Sequence, residues 1–233
     1  MQQNQSKTNK KPSYLNLMIR AWLFVFLVSI SIFILAGRIN YWQGWFFVVG
    51  YISFFLFQSV VTEKELVQER VKPGPGRKSW DKFFFLLYLP ASISIFAVAA
   101  LDAGRFNWTA KLPTLIYIIS YTVLVLSLSL SAWAMSINKF FSSVVRIQTD
   151  RGHYVIRSGP YRFIRHPGYL AGIFALISTA LALGSLWALI PASLAVVLII
   201  VRTSLEDKTL KEELPGYSEY AQDVKFRLLP YIW

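Results

Sequence analysis

The sequence predicts an all-α integral membrane protein of about six transmembrane helices, the last two a short helical hairpin, with a helical C-terminal segment on the cytoplasmic side. Three observations carry that expectation. Hydrophobic residues make up 55% of the 233 positions and charged residues only 15%, and the mean hydropathy is +0.46. A soluble domain needs far more charged surface. The stretches 21–36, 45–61, 83–101, 112–137 and 169–201 contain no Lys, Arg, Asp or Glu, and a span needs roughly 17–25 apolar residues. Finally, the basic residues alternate between rich and poor segments along the chain.

Residues 1–13 are polar and basic and read as a disordered tail. The first apolar run lacks an A-x-A-like exit and nears span length, so a retained span is expected rather than a cleaved leader. After the second run, Glu63, Lys64, Glu65, Glu69 and Arg70 form a helix-compatible charged segment. Pro73-Gly74-Pro75-Gly76 breaks it before Trp80-Asp81 returns the chain to the membrane. Trp108, in the short 102–111 loop, suits a membrane boundary. Ser120, Ser127 and Ser131 share a helical face on the fourth span and suit close helix packing.

The last apolar run is 33 residues long. As one helix it would reach roughly 50 Å, against a hydrocarbon core of about 30 Å. Gly184-Ser185 sits at its middle, so two helices over 168–183 and 186–201 are expected. The Lys and Arg counts support this: four in 1–20, one in 37–44, six in 62–82, two in 102–111, six in 138–168 and five in 202–233. Six spans place all the rich segments on one side, and the positive-inside rule makes that side cytoplasmic, with both termini. Much of the net charge of +12 then serves topology and contact with anionic membrane lipids rather than nucleic acid. A bacterial inner membrane or the endoplasmic reticulum would suit such a chain.

Two parts follow. Residues 1–137 hold the tail and four spans, with little polar chemistry. Residues 138–233 hold a loop dense in Gly, Pro, His, Arg and Tyr, the hairpin and an amphipathic tail. The hairpin returns the tail beside the loop, where Arg202, Glu206 and Glu213 share a helix face until Pro215-Gly216 ends it. A short helix over 217–224 follows. There is no cysteine, which excludes disulfides, thiolate metal sites and cysteine nucleophiles. Two histidines without carboxylate pairs make no metal site. No strand-and-glycine turn for a soluble nucleotide site is visible.

Gly159-Pro160-Tyr161-Arg162-Phe163-Ile164-Arg165-His166-Pro167-Gly168-Tyr169 is the strongest local signal. Arg151-Gly152-His153 precedes it, and Arg202-x-x-x-Glu206-Asp207-x-x-Leu210, Pro215-Gly216-Tyr217-x-x-Tyr220 and Arg227-Leu228-x-Pro230 follow. This ordered set, over about residues 133–230, resembles the isoprenylcysteine carboxyl methyltransferase and phospholipid methyltransferase superfamily. The resemblance implies S-adenosylmethionine as cofactor, held between loop and tail helix, and a lipophilic methyl acceptor that enters from the bilayer. It implies cofactor contacts at His153, Tyr154, Val155, Ile156, Tyr161, His166, Pro167, Gly168, Tyr169 and Glu206, with Arg202 on an acceptor carboxylate. Arg146 departs from the pattern, standing where the isoprenylcysteine subgroup has a contacting glutamine, with Gln148 two residues on.

The residue chemistry suits that implication. The faces of Tyr161 and Tyr169 are electron-rich and attract a sulfonium. Glu206 can accept from ribose hydroxyls or pair with an ammonium. His166 can donate to a carboxylate, Gly159 and Gly168 allow close backbone approach, and Pro160 and Pro167 restrict the loop. Other readings stay open from sequence alone. Arg162 and Arg165 can be topology determinants, Arg202 and Glu206 an i,i+4 ion pair, and Tyr217 and Tyr220 membrane-surface packing. An NADPH-dependent membrane reductase of the steroid 5-alpha-reductase type carries a similar Arg-His-Pro loop, but there Asn, Tyr and soon a Glu follow. Here Gly168-Tyr169-Leu170 follows, with no acid before Glu206. A non-enzymatic transporter or scaffold is a further reading; transport needs ionisable or broken-helix features at mid-membrane, whereas this chain gathers its polar groups at one face.

Overall fold

The computed structural model describes residues 14–233, so the expected N-terminal tail lies outside the described residues. The chain is all-helical there, with no strand among the described residues. The helices are α1 (Tyr14–Ala36), α2 (Trp42–Val61), α3 (Lys64–Val71), α4 (Ser79–Ala99), α5 (Thr114–Ile137), α6 (Pro167–Ala182), α7 (Leu189–Glu213) and α8 (Tyr217–Asp223). A π-helical turn over Ala100–Phe106 extends α4.

Five of these helices are long and apolar enough to cross a membrane, and α6 is a shorter apolar helix. At 16 residues, α6 reaches about 24 Å, short of a full hydrocarbon core. The expected hairpin therefore exists, but its halves are unequal. Leu183 to Ala188 form the turn, and α7 starts three residues later than expected. It then runs unbroken out of the apolar stretch to Glu213, so one rigid rod carries both a span and the polar tail. Gly184 makes the reversal with φ of +83°, where a Cβ would lie 2.9 Å from the Tyr117 hydroxyl. A side chain is excluded there by both backbone and space.

The turn is pinned from beneath. Asp102, fully buried, accepts hydrogen bonds from Ser185 Oγ (2.5 Å) and from the Thr109 amide (2.6 Å). The Tyr41 hydroxyl donates to the Leu183 carbonyl, and Arg38 donates to the Ala103 carbonyl at 2.8 Å. A core of Ile32, Ala36, Ile95, Ala99, Ala100, Ala103, Ala180, Ala188 and Ala192 fills this end. With so many small side chains the helix backbones approach closely, as membrane bundles require when apolar burial gives no net drive. Ser120 and Ser127, both buried, donate back to their own helix at Ile116 and Val123. Their burial fits the expected packing role, whereas Ser131, the third serine of that face, lines a cavity at the far end of the bundle.

The opposite end gathers α3, the 72–78 turn, the 138–166 loop, the end of α7 and α8. The Lys78 amide donates to the Val145 carbonyl (3.0 Å), Ser143 Oγ to the Arg70 carbonyl (2.7 Å), and Lys78 Nζ to Glu213 (2.6 Å). Segments rich in basic residues thus meet at one end, and the poorer connections lie at the other.

Candidate active site

At the loop end lies a cavity of about 380 Å³, a size that suits a small-molecule site. His153, Tyr154, Val155, Ile156, Tyr161, His166, Pro167, Gly168, Tyr169, Arg202 and Glu206 all line it. Its walls also draw on the first part of the chain, through Arg70 on α3, Phe84, Phe85 and Tyr88 on α4 and Ser131 on α5.

A buried carboxylate organises the wall. Asp207 is fully buried and takes Arg165 Nε at 2.7 Å and Nη2 at 3.1 Å, Arg227 Nε at 3.0 Å and Lys211 Nζ at 3.1 Å. The Tyr217 hydroxyl donates to it at 3.1 Å, and His166 Nε2 lies 3.2 Å away. Arg165 continues to the carbonyls of Val224 (2.6 Å) and Lys225 (2.9 Å). The backbone amides of Arg165 and His166 donate to the carbonyls of Phe226 and Arg227, both at 2.9 Å. Loop, α7 and C-terminal segment are therefore one network around a single charge. Such a network is rigid when every member has a partner.

This placement corrects three readings. Arg165 is buried in the network and is not merely a surface topology signal. Tyr217 and Tyr220 are buried and line the cavity, not the membrane surface; the Tyr220 hydroxyl donates to the Tyr161 carbonyl at 2.7 Å. Arg202 and Glu206 share a face of α7 but do not pair. Glu206 accepts from the Tyr169 hydroxyl. Arg202 Nη2 donates to the Ser143 carbonyl at 2.8 Å and lies 2.8 Å from Asp81 Oδ1. That second contact pairs by charge but is not aligned as a hydrogen bond, so Asp81 Oδ1 has no hydrogen-bond donor; Arg202 Nε, a separate atom, also has no acceptor. Arg202 stacks against Phe84 (4.6 Å), Phe85 (5.0 Å) and Tyr169 (5.5 Å).

The glycines have internal duties. A Cβ at Gly168 would lie 2.4 Å from the Phe141 ring, and Gly159 has φ of +57° with a Cβ position 3.0 Å from Ile137. Loop packing alone accounts for both. Arg146 is a clamp: its guanidinium holds Glu69 at 2.8 and 2.9 Å and Asp150 at 2.7 Å. Burial works against the Glu69 carboxylate, but Arg146 outweighs it and holds that carboxyl below its usual range. Gln148 is equally committed, donating to the Phe140 carbonyl (2.7 Å) and accepting from Arg151 (2.6 Å). Both line the cavity, yet their polar atoms are already engaged by protein.

His153 carries a readable protonation state. Burial first, then the charges of Arg146 and Arg151, push its pKa down to about 4. The ring is therefore neutral near pH 7. Its Nδ1 lies 3.3 Å from the Gln148 amide, so it accepts there and the proton sits on Nε2. A depressed histidine pKa favours the fold above the unfolded value of about 6.5, and that contribution is lost as pH falls from there through 4. We expect affinity for S-adenosylhomocysteine, measured by calorimetry, to stay flat from pH 8 to 5 and to fall only near 4. A break near 6.5 would mean that His153 is an ordinary, solvated histidine.

Asp81 does not line the cavity, but it is the principal supporting residue behind Arg202 that the sequence reading passed over. It is fully buried and shared between Arg202 and Arg77, whose Nε lies 2.8 Å away. Its one signal was an acid at the mouth of an apolar span, a placement that is costly without a purpose.

Comparison with known proteins agrees with the motifs. Residues 116–212 match the model of the isoprenylcysteine carboxyl methyltransferase (ICMT) family, which takes in α5, the loop, the hairpin and nearly all of α7. No curated protein matches the chain. With five span-length apolar helices, the match supports a membrane methyltransferase, and the site-bearing stretch of this integral membrane protein carries the pattern of the isoprenylcysteine carboxyl methyltransferase family.

Proposed function

We propose that the cavity binds S-adenosylmethionine and that the chain transfers the cofactor's methyl group to a lipophilic acceptor reaching the site from the bilayer. The observation that carries this reading is a single cavity with two unlike halves. One half is the polar loop with Tyr161, His153 and His166; the other runs along Phe84, Phe85 and Tyr88 between the spans. Tyr88 lies one helical turn beyond Phe84, so the apolar half reaches about 6 Å along α4.

The residues present suit the cofactor. It supplies an activated methyl group on a positively charged sulfur. The faces of Tyr161 and Tyr169 attract that charge. Glu206 has one protein donor, Tyr169, and retains acceptor capacity for ribose hydroxyls or an ammonium. The neutral His153 can donate from Nε2 without adding repulsion. Arg202 offers its unpartnered, buried Nε to the acceptor. Methyl transfer is a displacement at carbon, so alignment and exclusion of water matter more than a general base.

The test is direct. Purified protein in detergent is incubated with methyl-labelled S-adenosylmethionine and total membrane lipid, and the labelled product is identified. A labelled lipid ester or amine supports the reading; no protein-dependent label counts against it.

We further propose that the loop end and both termini face the cytoplasm, on the strength of the basic segments gathered there. The chain has no cysteine, so a single one at exposed Ser158 reports without background. It should react with an impermeant thiol reagent only from the cytoplasmic side. Reaction from the opposite side reverses the topology.

A further inference from the structure

Behind the wall of the cavity lies a second hollow that methyl transfer does not use. It is a groove of about 630 Å³ between the end of α7, the end of α8 and the closing segment. Arg165, Lys211, Lys225 and Arg227 line it, with Tyr231, Ile232 and Trp233 along the same walls. Arg165 also lines the cavity, so the two hollows share part of one wall.

No Asp or Glu side chain lines the groove. Among the described residues, the carboxylate that its cations reach is Asp207, which is fully buried and already takes Arg165, Lys211 and Arg227. A main-chain oxygen of Trp233 accepts from the amides of Arg227 and Leu228 at 2.9 and 3.0 Å. Even with a carboxylate counted there, four cations face two anions. The acids nearby in the chain are engaged elsewhere. Glu206 accepts from Tyr169 on the cavity side, Glu212 faces Lys208, Glu213 holds Lys78, and Asp223 holds Arg157. Glu219, on α8, does not line the groove. Lys225 is exposed and makes no ion pair among the described residues. The surplus is therefore open to an anion from outside.

Position and rim say which anion. Arg165 stands two residues before α6 begins its apolar run, and the amides of Arg165 and His166 hold the closing segment beside it. Lys211 is one helical turn beyond Asp207 on α7, about 6 Å farther out. That is the depth of lipid head groups. Tyr231 is 92% exposed and Ile232 77% exposed, while the Trp233 ring lies 4.9 Å from the Arg227 guanidinium. Apolar and aromatic side chains beside basic ones suit a membrane interface. A soluble anion would use the cations and leave that rim in water.

We propose that the groove is a head-group site for an anionic phospholipid. Lys211, Lys225 and Arg227 face its phosphate, and its acyl chains leave past Tyr231 and Ile232 into the bilayer. Basic pockets at the foot of spanning helices take such head groups. A zwitterionic lipid brings its own cation to an already positive groove and is disfavoured. This goes beyond the general attraction of a basic face for an anionic leaflet, because it assigns one groove, and it does not depend on the methyltransferase reading.

Native mass spectrometry of the detergent-purified protein tests it, with phosphatidylglycerol and phosphatidylcholine of identical acyl chains titrated separately. Wild type should bind the first phosphatidylglycerol roughly tenfold or more tighter than phosphatidylcholine. Lys225→Gln should weaken phosphatidylglycerol roughly fivefold, the effect of one basic charge near a membrane surface, and leave phosphatidylcholine unchanged. Lys208→Gln removes the same charge from an exposed position outside the groove and should change neither. Tyr231→Ser, at the exposed rim, should also weaken phosphatidylglycerol. Excess glycerol 1-phosphate should not displace the lipid. Thermal unfolding checks each variant; if Lys225→Gln melts below wild type, Tyr231→Ser decides. Equal affinity of wild type for the two lipids overturns the proposal. Equal weakening by Lys208→Gln and Lys225→Gln overturns it in favour of diffuse attraction by a basic tail. Displacement by glycerol 1-phosphate overturns it in favour of a soluble anion.

Discussion

Asp207→Asn is expected to lower stability by about 3–5 kcal/mol, because it strands cations in a buried network. The carboxylate takes two contacts from Arg165 and one each from Arg227 and Lys211, and also holds Tyr217. An amide keeps the shape but not the charge, so Arg165, itself buried, faces no anion. Because Asp207 also sets the position of His166 (3.2 Å), cofactor affinity should fall with stability. Asp223→Asn is the control. It removes the partner of Arg157 in an exposed pair (2.8 Å), worth about 0–1 kcal/mol. Unfolding of the detergent-solubilised proteins separates the two. A melt for Asp207→Asn as close to wild type as that of Asp223→Asn would mean that the network does not hold the site together.

Glu206→Gln and Arg202→Lys should fail in different ways. The glutamine keeps an oxygen for the Tyr169 hydroxyl, so the local fold survives, but the charge that strengthens hydrogen bonds to the cofactor is gone. S-adenosylmethionine affinity should drop by about 1.5–3 kcal/mol, roughly ten- to a hundredfold. Lysine at 202 keeps the charge and loses the planar fork, whose Nη2 meets both Ser143 and Asp81 and whose Nε is left without a protein partner. Cofactor affinity should stay near wild type while turnover of a carboxylate acceptor falls. Small and equal effects on binding and turnover would end this division of roles. Turnover that survives Arg202→Lys, with cofactor binding abolished by Glu206→Gln, would favour an amine acceptor over a carboxylate.

The fold was legible where a single physical rule decided it. Run length against bilayer thickness required a break in 169–201, and Gly184 makes it. Basic alternation placed the loop and tail on one side, and they meet. The network was less legible, because a charged residue has the same sequence signature on a surface as in a pair. Arg165 and Asp207 are far apart in the chain, and only the hairpin brings them to 2.7 Å. Tyr217 and Tyr220 looked interfacial because aromatic residues near a span usually are, whereas α8 folds back and buries them. Arg146 could not be resolved from sequence, since its partner Glu69 lies 77 positions away. Arg70 and Asp81 fell outside the motif, in the part of the chain where only hydropathy was informative.

The central claim is that the loop, hairpin and tail build an S-adenosylmethionine site. Calorimetry on the purified protein in detergent, with S-adenosylhomocysteine and NADPH titrated separately, tests it most directly. The account predicts saturable, one-to-one binding of S-adenosylhomocysteine in the micromolar range, weakened by Glu206→Gln, and no specific binding of NADPH. Saturable binding of NADPH with none of S-adenosylhomocysteine would contradict it and move the site to reductase chemistry.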